Sequence, residues 1–238
     1  MSKHKVLVAD PIADAGIDEL KADDSLDVDV RIGISEEELL KDAEIYEAII
    51  VRSQTKITAE VIDKAAKLKI VGRAGVGVDN IAIPAATKNG VIVMNTPAGN
   101  TISTAEHAFG LMASLARNIP QAHATVTGGG WGRKDYKGVE LNKKTLAILG
   151  MGRIGTEFSR RAIAFGMTVL AYDPYLSPSR AKTLQVELFE DVDSIVAEAD
   201  FITLHMPLTD ETKHIINEER LKLCKTGARI INCARGGL

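Results

Sequence analysis

The sequence predicts an α/β fold made of two consecutive parallel-sheet domains, and three observations carry that expectation. Short apolar runs alternate with helix-length segments along the whole chain, which is the pattern of βαβ units. One of these runs, Thr145-Leu146-Ala147-Ile148-Leu149, opens directly into Gly150-Met151-Gly152-Arg153-Ile154-Gly155. The next apolar run, Met167 to Tyr172, ends on a carboxylate, Asp173. A glycine-rich turn alone is weak evidence. Strand, turn, helix, strand and acid in that order describe a dinucleotide site, although a glycine turn that binds nothing has the same local chemistry.

The first domain, residues 1–98, offers five strand-length runs: Lys5–Ala9, Asp27–Arg31, Ala48–Val51, Leu68–Gly72 and Val91–Met94. Between them, Ser35-Glu36-Glu37-Glu38 has capping-box spacing for a helix start. Thr58 is placed to cap a second helix running through Ala66, and Pro84 suits the first turn of a third that stops near Gly90. The second domain, residues 99–238, begins with a long helix. Ser103 and Glu106 have capping-box spacing, and Ala108, Leu111, Met112 and Leu115 form an apolar face that continues to Arg117. That apolar density suggests burial between domains or between subunits. A glycine loop, Gly128-Gly129-Gly130-Trp131-Gly132, leads to the unit that starts near Leu141. Its expected strands are Thr145–Leu149, Met167–Tyr172, a weaker one near Gln185–Leu188, Phe201–Leu204 and Ala228–Asn232. Its first helix runs from Arg153 to Phe165, with Ile154, Phe158, Ala162 and Phe165 at helical spacing and Gly166 as its stop. The expected cleft between the domains is where a substrate would meet a nicotinamide. An open dinucleotide sheet carries six strands and only five are legible, so the chain is expected to be cut short at Leu238.

Composition excludes several classes. The 238 residues are 45% hydrophobic and 26% charged, with a formal net charge of -3. Neither nucleic acid nor an anionic membrane is an expected partner. No apolar stretch approaches the roughly 20 residues that span a bilayer, and the start of the chain has no signal-peptide pattern. Cys224 and Cys233 lack metal-ligand spacing and read as reduced thiols of a cytoplasmic protein, with no metal expected.

Chemistry is concentrated at a few positions. Gly150 permits a tight turn, Gly152 lets the backbone approach a pyrophosphate, and Gly155 lets helix pack on strand. Free N–H groups and the helix dipole then attract the phosphates. Asp173 can accept hydrogen bonds from both adenosine ribose hydroxyls and repels a 2′-phosphate, favouring NAD over NADP; it also reads as a solvated turn residue before Pro174. Arg73-Ala74-Gly75-Val76-Gly77-Val78-Asp79-Asn80 follows a strand end, and amides around Gly75 and Gly77 suit an anion-binding nest or a tight connection without a ligand. Arg235 closes the last strand beside two glycines, where a guanidinium grips a carboxylate in bidentate fashion and polarises a neighbouring carbonyl. Among the histidines, His107 reads as a packed or interface residue, and His205 as a residue shaping a loop at a strand end, with an acid–base role as its lesser alternative.

Taken together, Val51-Arg52-Ser53-Gln54-Thr55-Lys56, Gly72 to Asn80, Asn95 to Asn100, Ala105-Glu106-His107, Gly150 to Gly155, Tyr172-Asp173-Pro174, His205-Met206-Pro207-Leu208-Thr209 and Asn232 to Gly237 resemble the D-isomer-specific 2-hydroxyacid dehydrogenases. The resemblance implies a flavodoxin-like substrate domain and a Rossmann domain. It implies reversible hydride transfer between C2 of 3-phosphoglycerate and NAD, the first step of serine synthesis. Glyoxylate, hydroxypyruvate or lactate as substrate, and a non-catalytic NAD-sensing dimer, are the alternatives. Gly150, Gly152, Arg153, Ile154, Gly155 and Asp173 would hold NAD, with Met206, Cys233 and Ala234 beside it. Val76 would also lie there, although Val76 and Met206 replace threonines common in the family. Arg235 would be the catalytic arginine. Arg52, Arg73, Gly75 and Asn100 would face the small phosphorylated substrate, and Arg133 or Lys134 would reach the phosphate in a neighbouring subunit of a homodimer or homotetramer. The family's acid–base histidine and its glutamate partner are expected beyond Leu238.

Overall fold

In the computed structural model, which describes residues 3–238, every strand lies in one of two parallel five-stranded sheets. Residues 1 and 2 of the expected first domain lie outside the described residues. The chain divides into a first unit that runs to Asn100 and a second, Thr101–Leu238.

The first unit comprises β1 (His4–Val8), α1 (Asp14–Ala22), β2 (Leu26–Val30), α2 (Glu36–Asp42), a 3-10 turn (Ala43–Ile45), β3 (Ala48–Val51), α3 (Ala59–Lys64), β4 (Ile70–Arg73), α4 (Ile83–Lys88) and β5 (Ile92–Asn95). Local chemistry sets these helix starts. The Ser35 hydroxyl accepts from the Glu38 amide while the Glu38 carboxylate accepts from the Ser35 amide, a complete capping box. Thr58 caps α3, which ends at Lys64 rather than Ala66, and Pro84 sits in the first turn of α4. The strand order β2-β1-β3-β4-β5 is the flavodoxin-like one. Leu7, Leu39, Tyr46, Ile49, Val51, Ile57, Val61 and Val71 make the core on one sheet face. The buried Tyr46 is satisfied by donating its hydroxyl to Asp29 at 2.6 Å.

The second unit comprises α5 (Thr101–Arg117), α6 (Ile119–Thr127), β6 (Thr145–Leu149), α7 (Arg153–Ala164), β7 (Thr168–Tyr172), α8 (Pro178–Leu184), β8 (Glu187–Phe189), α9 (Val192–Glu198), β9 (Phe201–Leu204), α10 (Glu218–Leu223) and β10 (Arg229–Asn232). The order β10-β9-β6-β7-β8 is the doubly wound arrangement whose strands run outward in both directions from the first. Apolar clusters cover both sheet faces. One holds Phe109, Met112, Leu146, Ile148, Phe158 and Phe201, and the other Leu149, Leu170, Ile195, Val196, Ile202 and Leu204.

One expectation about α5 is corrected. The helix begins at Thr101, so Ser103 lies inside it and is not its cap. Glu106 instead receives the Arg161 guanidinium of α7 at 3.0 Å. The buried face is Ala105, Ala108, Phe109, Met112 and Ala116, while Leu111 and Leu115 stay 45% and 44% exposed. Small residues win because α5 packs closely on α7, where the Phe109 ring stands edge-on to Phe158 at 5.6 Å and to Phe165 at 4.8 Å.

Candidate functional site

In an open doubly wound sheet the ligand crevice lies where the strand order reverses, at the strands' C-terminal ends. In the second unit that point is between β6 and β9. The glycine turn follows β6, and His205 and Met206 follow β9.

The turn is built by two close approaches. Gly150 has φ +100, and a Cβ there would stand 2.6 Å from the His205 carbonyl oxygen. A Cβ on Gly155 would collide with the Gly150 carbonyl, so only glycine lets α7 pack this tightly on the turn. The Gly150 amide donates to Tyr172 O and the His205 amide to Leu149 O, both at 2.8 Å, which locks the turn to its two neighbouring strands.

Gly152 differs from both. It is the N-cap of α7 at φ -64, it makes no side-chain cap, and nothing lies within 4 Å of the place a Cβ would take. An uncapped helix start facing empty space is a cradle for an anion, with backbone donors and the helix dipole aimed into it. Arg153 is exposed on the first turn of α7, and Ile154 is half-buried behind it. Asp173 closes the site beside the turn, its two oxygens accepting from the Met151 and Tyr175 amides at 2.8 Å each. Each oxygen keeps a second lone pair for a hydroxyl donor. Glycine cradle and adjacent carboxylate together fit the pyrophosphate and ribose of a dinucleotide.

The same sheet edge carries the remaining second-unit residues. Met206 is buried, Cys233 and Ala234 are half-buried after β10, and burial pushes the Cys233 thiol up. Arg235 follows them, half-buried, donating to Ala234 O at 2.9 Å, and Asn232 grips the Arg235 carbonyl at 2.8 Å. This Asn232 turn fixes the backbone from which the guanidinium reaches out. His205 is packed at the strand end. Its Nε2 pairs with the Thr203 hydroxyl at 3.0 Å, its ring lies 5.2 Å from that of Phe158, and burial pulls its pKa down to about 4. Arg133 lies on the exposed loop after α6, where Arg117, Ala122, Val126, Trp131 and Tyr136 line a cavity of about 440 Å³.

The first unit groups its own set at the ends of β3 and β4. Arg52 is exposed after β3, and Asn100 is exposed at the unit's end. Arg73 closes β4 and folds its guanidinium over Gly75, with Nε buried and without a hydrogen-bond partner. Of the amides expected to form a nest, that of Gly75 is taken. The Gly75 amide donates to Arg73 O at 2.8 Å and is not available to an anion, so the cation supplies the positive charge there. The Gly75 carbonyl accepts from Thr96 and the Val76 carbonyl from Asn95 Nδ2 at 2.7 Å, which pins this loop to β5. Sequence reasoning passed over Asp10, whose carboxylate organises the Arg52 loop. Its only signal is a carboxylate directly after the apolar run Val6–Ala9.

A doubly wound sheet with an open glycine cradle and a carboxylate on the next strand defines a dinucleotide-binding protein. A family profile described as "D-isomer specific 2-hydroxyacid dehydrogenase, NAD binding domain" matches residues 109–238. The chain belongs to that family, and this stretch is its NAD-binding domain. D-3-phosphoglycerate dehydrogenase of Methanocaldococcus jannaschii is 50% identical over 234 residues, covering 98% of this chain and 44% of its own length. The chain thus spans less than half the length of this curated relative. A glyoxylate reductase structure from Paecilomyes thermophila superposes with a TM-score of 0.90 at 29% identity, covering 100% of this chain and 75% of that one. A D-lactate dehydrogenase from Aquifex aeolicus, solved with NAD and lactic acid, gives a TM-score of 0.85 at 32% identity, covering 98% of this chain and 69% of that one.

Proposed function

We propose that the intact protein oxidises D-3-phosphoglycerate to 3-phosphohydroxypyruvate with NAD, the first step of serine biosynthesis. The observation that carries the coenzyme half is the uncapped start of α7 at Gly152, open to a ligand beside Asp173. Support for the substrate comes from the phosphoglycerate dehydrogenase names of relatives about 50% identical over 98% of the chain. Bound NAD supplies a hydride acceptor for C2 of the hydroxyacid. Gly150, Gly152, Arg153, Ile154, Gly155 and Asp173 hold the coenzyme, Met206, Cys233 and Ala234 line it, and Val76 is a further coenzyme-binding candidate. Arg235 binds the substrate carboxylate and polarises the C2 oxygen, which develops carbonyl character as hydride leaves. Arg52, Arg73, Gly75 and Asn100 contribute to the substrate site, and Arg133 or Lys134 to phosphate recognition. Cys224 and Cys233, half-buried free thiols, support a cytoplasmic protein.

The deciding measurement compares NAD reduction by the intact protein with D-3-phosphoglycerate, D-lactate and D-glycerate. Faster turnover of the unphosphorylated acids overturns the phosphate assignment in favour of the second reading, which rests on the fold's likeness to a glyoxylate reductase. Arg235→Lys keeps the charge but loses the bidentate fork, so KM for the hydroxyacid is expected to rise about tenfold with NAD binding unchanged. Asp173→Ser removes the carboxylate that rejects a 2′-phosphate. The ratio of NAD to NADP turnover is expected to fall about tenfold or more, read from kcat/KM with each coenzyme. The exposed Leu111 and Leu115 on α5, with Ile119 and Val126 on α6, support a homodimer or homotetramer. A monomer in analytical ultracentrifugation of the intact protein overturns that assignment.

A further inference from the structure

The flavodoxin-like order of the first sheet reverses between β1 and β3, so its ligand crevice lies at the C-terminal ends of those two strands. Asp10 follows β1 there and is fully buried, at 0% exposure. Its carboxylate makes no salt bridge among the described residues. It accepts instead from a run of backbone amides just after β3: Arg52 at 2.6 Å, Gln54 at 3.1 Å and Thr55 at 3.1 Å, with the Thr55 hydroxyl at 2.6 Å. Burial alone would raise the Asp10 carboxyl, but these donors outweigh it and hold it below the usual carboxylate range.

Asn80 holds the same loop by its carbonyls. Its Nδ2 donates to Arg52 O at 2.8 Å and to Thr55 O at 2.7 Å, while the Asn80 backbone carbonyl accepts from the Ile57 amide at 2.8 Å. Arg52 and Thr55 therefore have both backbone polar groups tied, one to Asp10 and one to Asn80. The Arg52 side chain is not tied in the same way, being exposed with a single long contact to Pro11 O at 3.5 Å. A fixed backbone beneath an unencumbered guanidinium is the arrangement that lowers the ordering cost of binding an anion. A buried carboxylate is also an expensive way to hold an ordinary surface loop.

We propose that Asp10 and Asn80 are positioning residues for the substrate, clamping the Arg52–Thr55 loop so that Arg52 presents its guanidinium to an anionic group of the hydroxyacid. This rests on the reading that Arg52 faces the substrate of a 2-hydroxyacid dehydrogenase. The test uses the intact protein carrying Asp10→Asn or Asn80→Ala. Each is assayed for kcat, for KM with D-3-phosphoglycerate and with NAD, and for D-3-phosphoglycerate binding by calorimetry. Asp10→Asn turns an amide N–H₂ toward backbone donors, so hydroxyacid KM is expected to rise about tenfold or more. The kcat is expected to stay within about threefold and KM for NAD to be unchanged. Amides of Arg52, Gln54 and Thr55 are expected to exchange faster with deuterium.

Variants that melt like the parent with hydroxyacid KM unchanged overturn the clamp, and so does a parallel loss in kcat and in both KM values. Where Asp10→Asn does not fold, Asn80→Ala carries the same decision, because it removes only donors to two carbonyls. A parent that binds D-3-phosphoglycerate without oxidising it defeats the dehydrogenase reading alone, and the variants' calorimetric affinity then decides the clamp. A parent that binds no hydroxyacid overturns both.

Discussion

Gly152→Ala is expected to leave stability nearly unchanged while weakening NAD binding about a hundredfold, roughly 2.7 kcal/mol. The first half follows from the fold: at φ -64 an alanine is unstrained, and its Cβ would meet nothing within 4 Å. The second half follows from what the empty volume is for. A methyl at the N-cap of α7 occupies the position from which the backbone must approach the pyrophosphate, and it pushes the phosphates away from the first-turn amides. Gly150→Ala makes the contrast. It forces alanine to φ +100 with its Cβ 2.6 Å from the His205 carbonyl, so folding itself suffers. Calorimetric titration with NAD and thermal melts of both variants separate the two effects. A Gly152→Ala protein that binds NAD as tightly as its parent shows that the pyrophosphate is not seated on α7.

That contrast also marks what was legible in the sequence. The glycine turn, the strand before it and Asp173 at the end of the next strand could be read because their function rests on backbone conformation and on chain neighbours. The Ser35 capping box was legible for the same reason, with all its bonds made within four residues. Ser103 and Glu106 have identical spacing and do not form a cap. Glu106 is drawn to Arg161, 55 residues away, a choice that only tertiary packing makes. Likewise, periodicity gathered Ala108, Leu111, Met112 and Leu115 into one apolar face of α5 but could not say which residues pack within the unit. The fold buries Ala105, Ala108, Phe109, Met112 and Ala116 against its own unit, since close approach of α5 to α7 favours small side chains.

The first unit shows the same division. Its five strands and their parallel character follow from alternation of apolar runs and helices, but the strand order, and hence the crevice between β1 and β3, does not. Without that order, Asp10 reads as a turn residue before Pro11. Once β1 and β3 are neighbours, it becomes the acceptor for amides more than 40 residues away. Gly75 illustrates the reverse error: glycine spacing suggested free amides, while the fold spends that N–H on Arg73 O.

Acidification is expected to expose the cost of burying His205. Its folded pKa is about 4 against an ordinary 6.5, and the cause is burial. Between those values the unfolded chain binds a proton that the folded chain refuses, so stability falls as pH drops from 6.5 to 4. The full effect is about 3 kcal/mol, since each pH unit of displacement is worth about 1.4 kcal/mol. His205→Gln keeps a polar partner for the Thr203 hydroxyl and cannot titrate. Denaturant unfolding across this range is therefore expected to show the variant losing less stability than the parent, with the difference opening below pH 6.5 and complete near pH 4. Parallel curves would mean that His205 is solvated and charged in the folded state. The same neutrality bears on mechanism. A ring held between Thr203 and Phe158 with so low an affinity for protons is a poor acceptor for the C2 hydroxyl proton, so the acid limb of kcat/KM is expected to be unmoved by His205→Gln. What His205 contributes is backbone: its amide anchors Leu149 and its carbonyl leaves room only for a glycine at Gly150, which ties the burial of one imidazole to the shape of the coenzyme cradle.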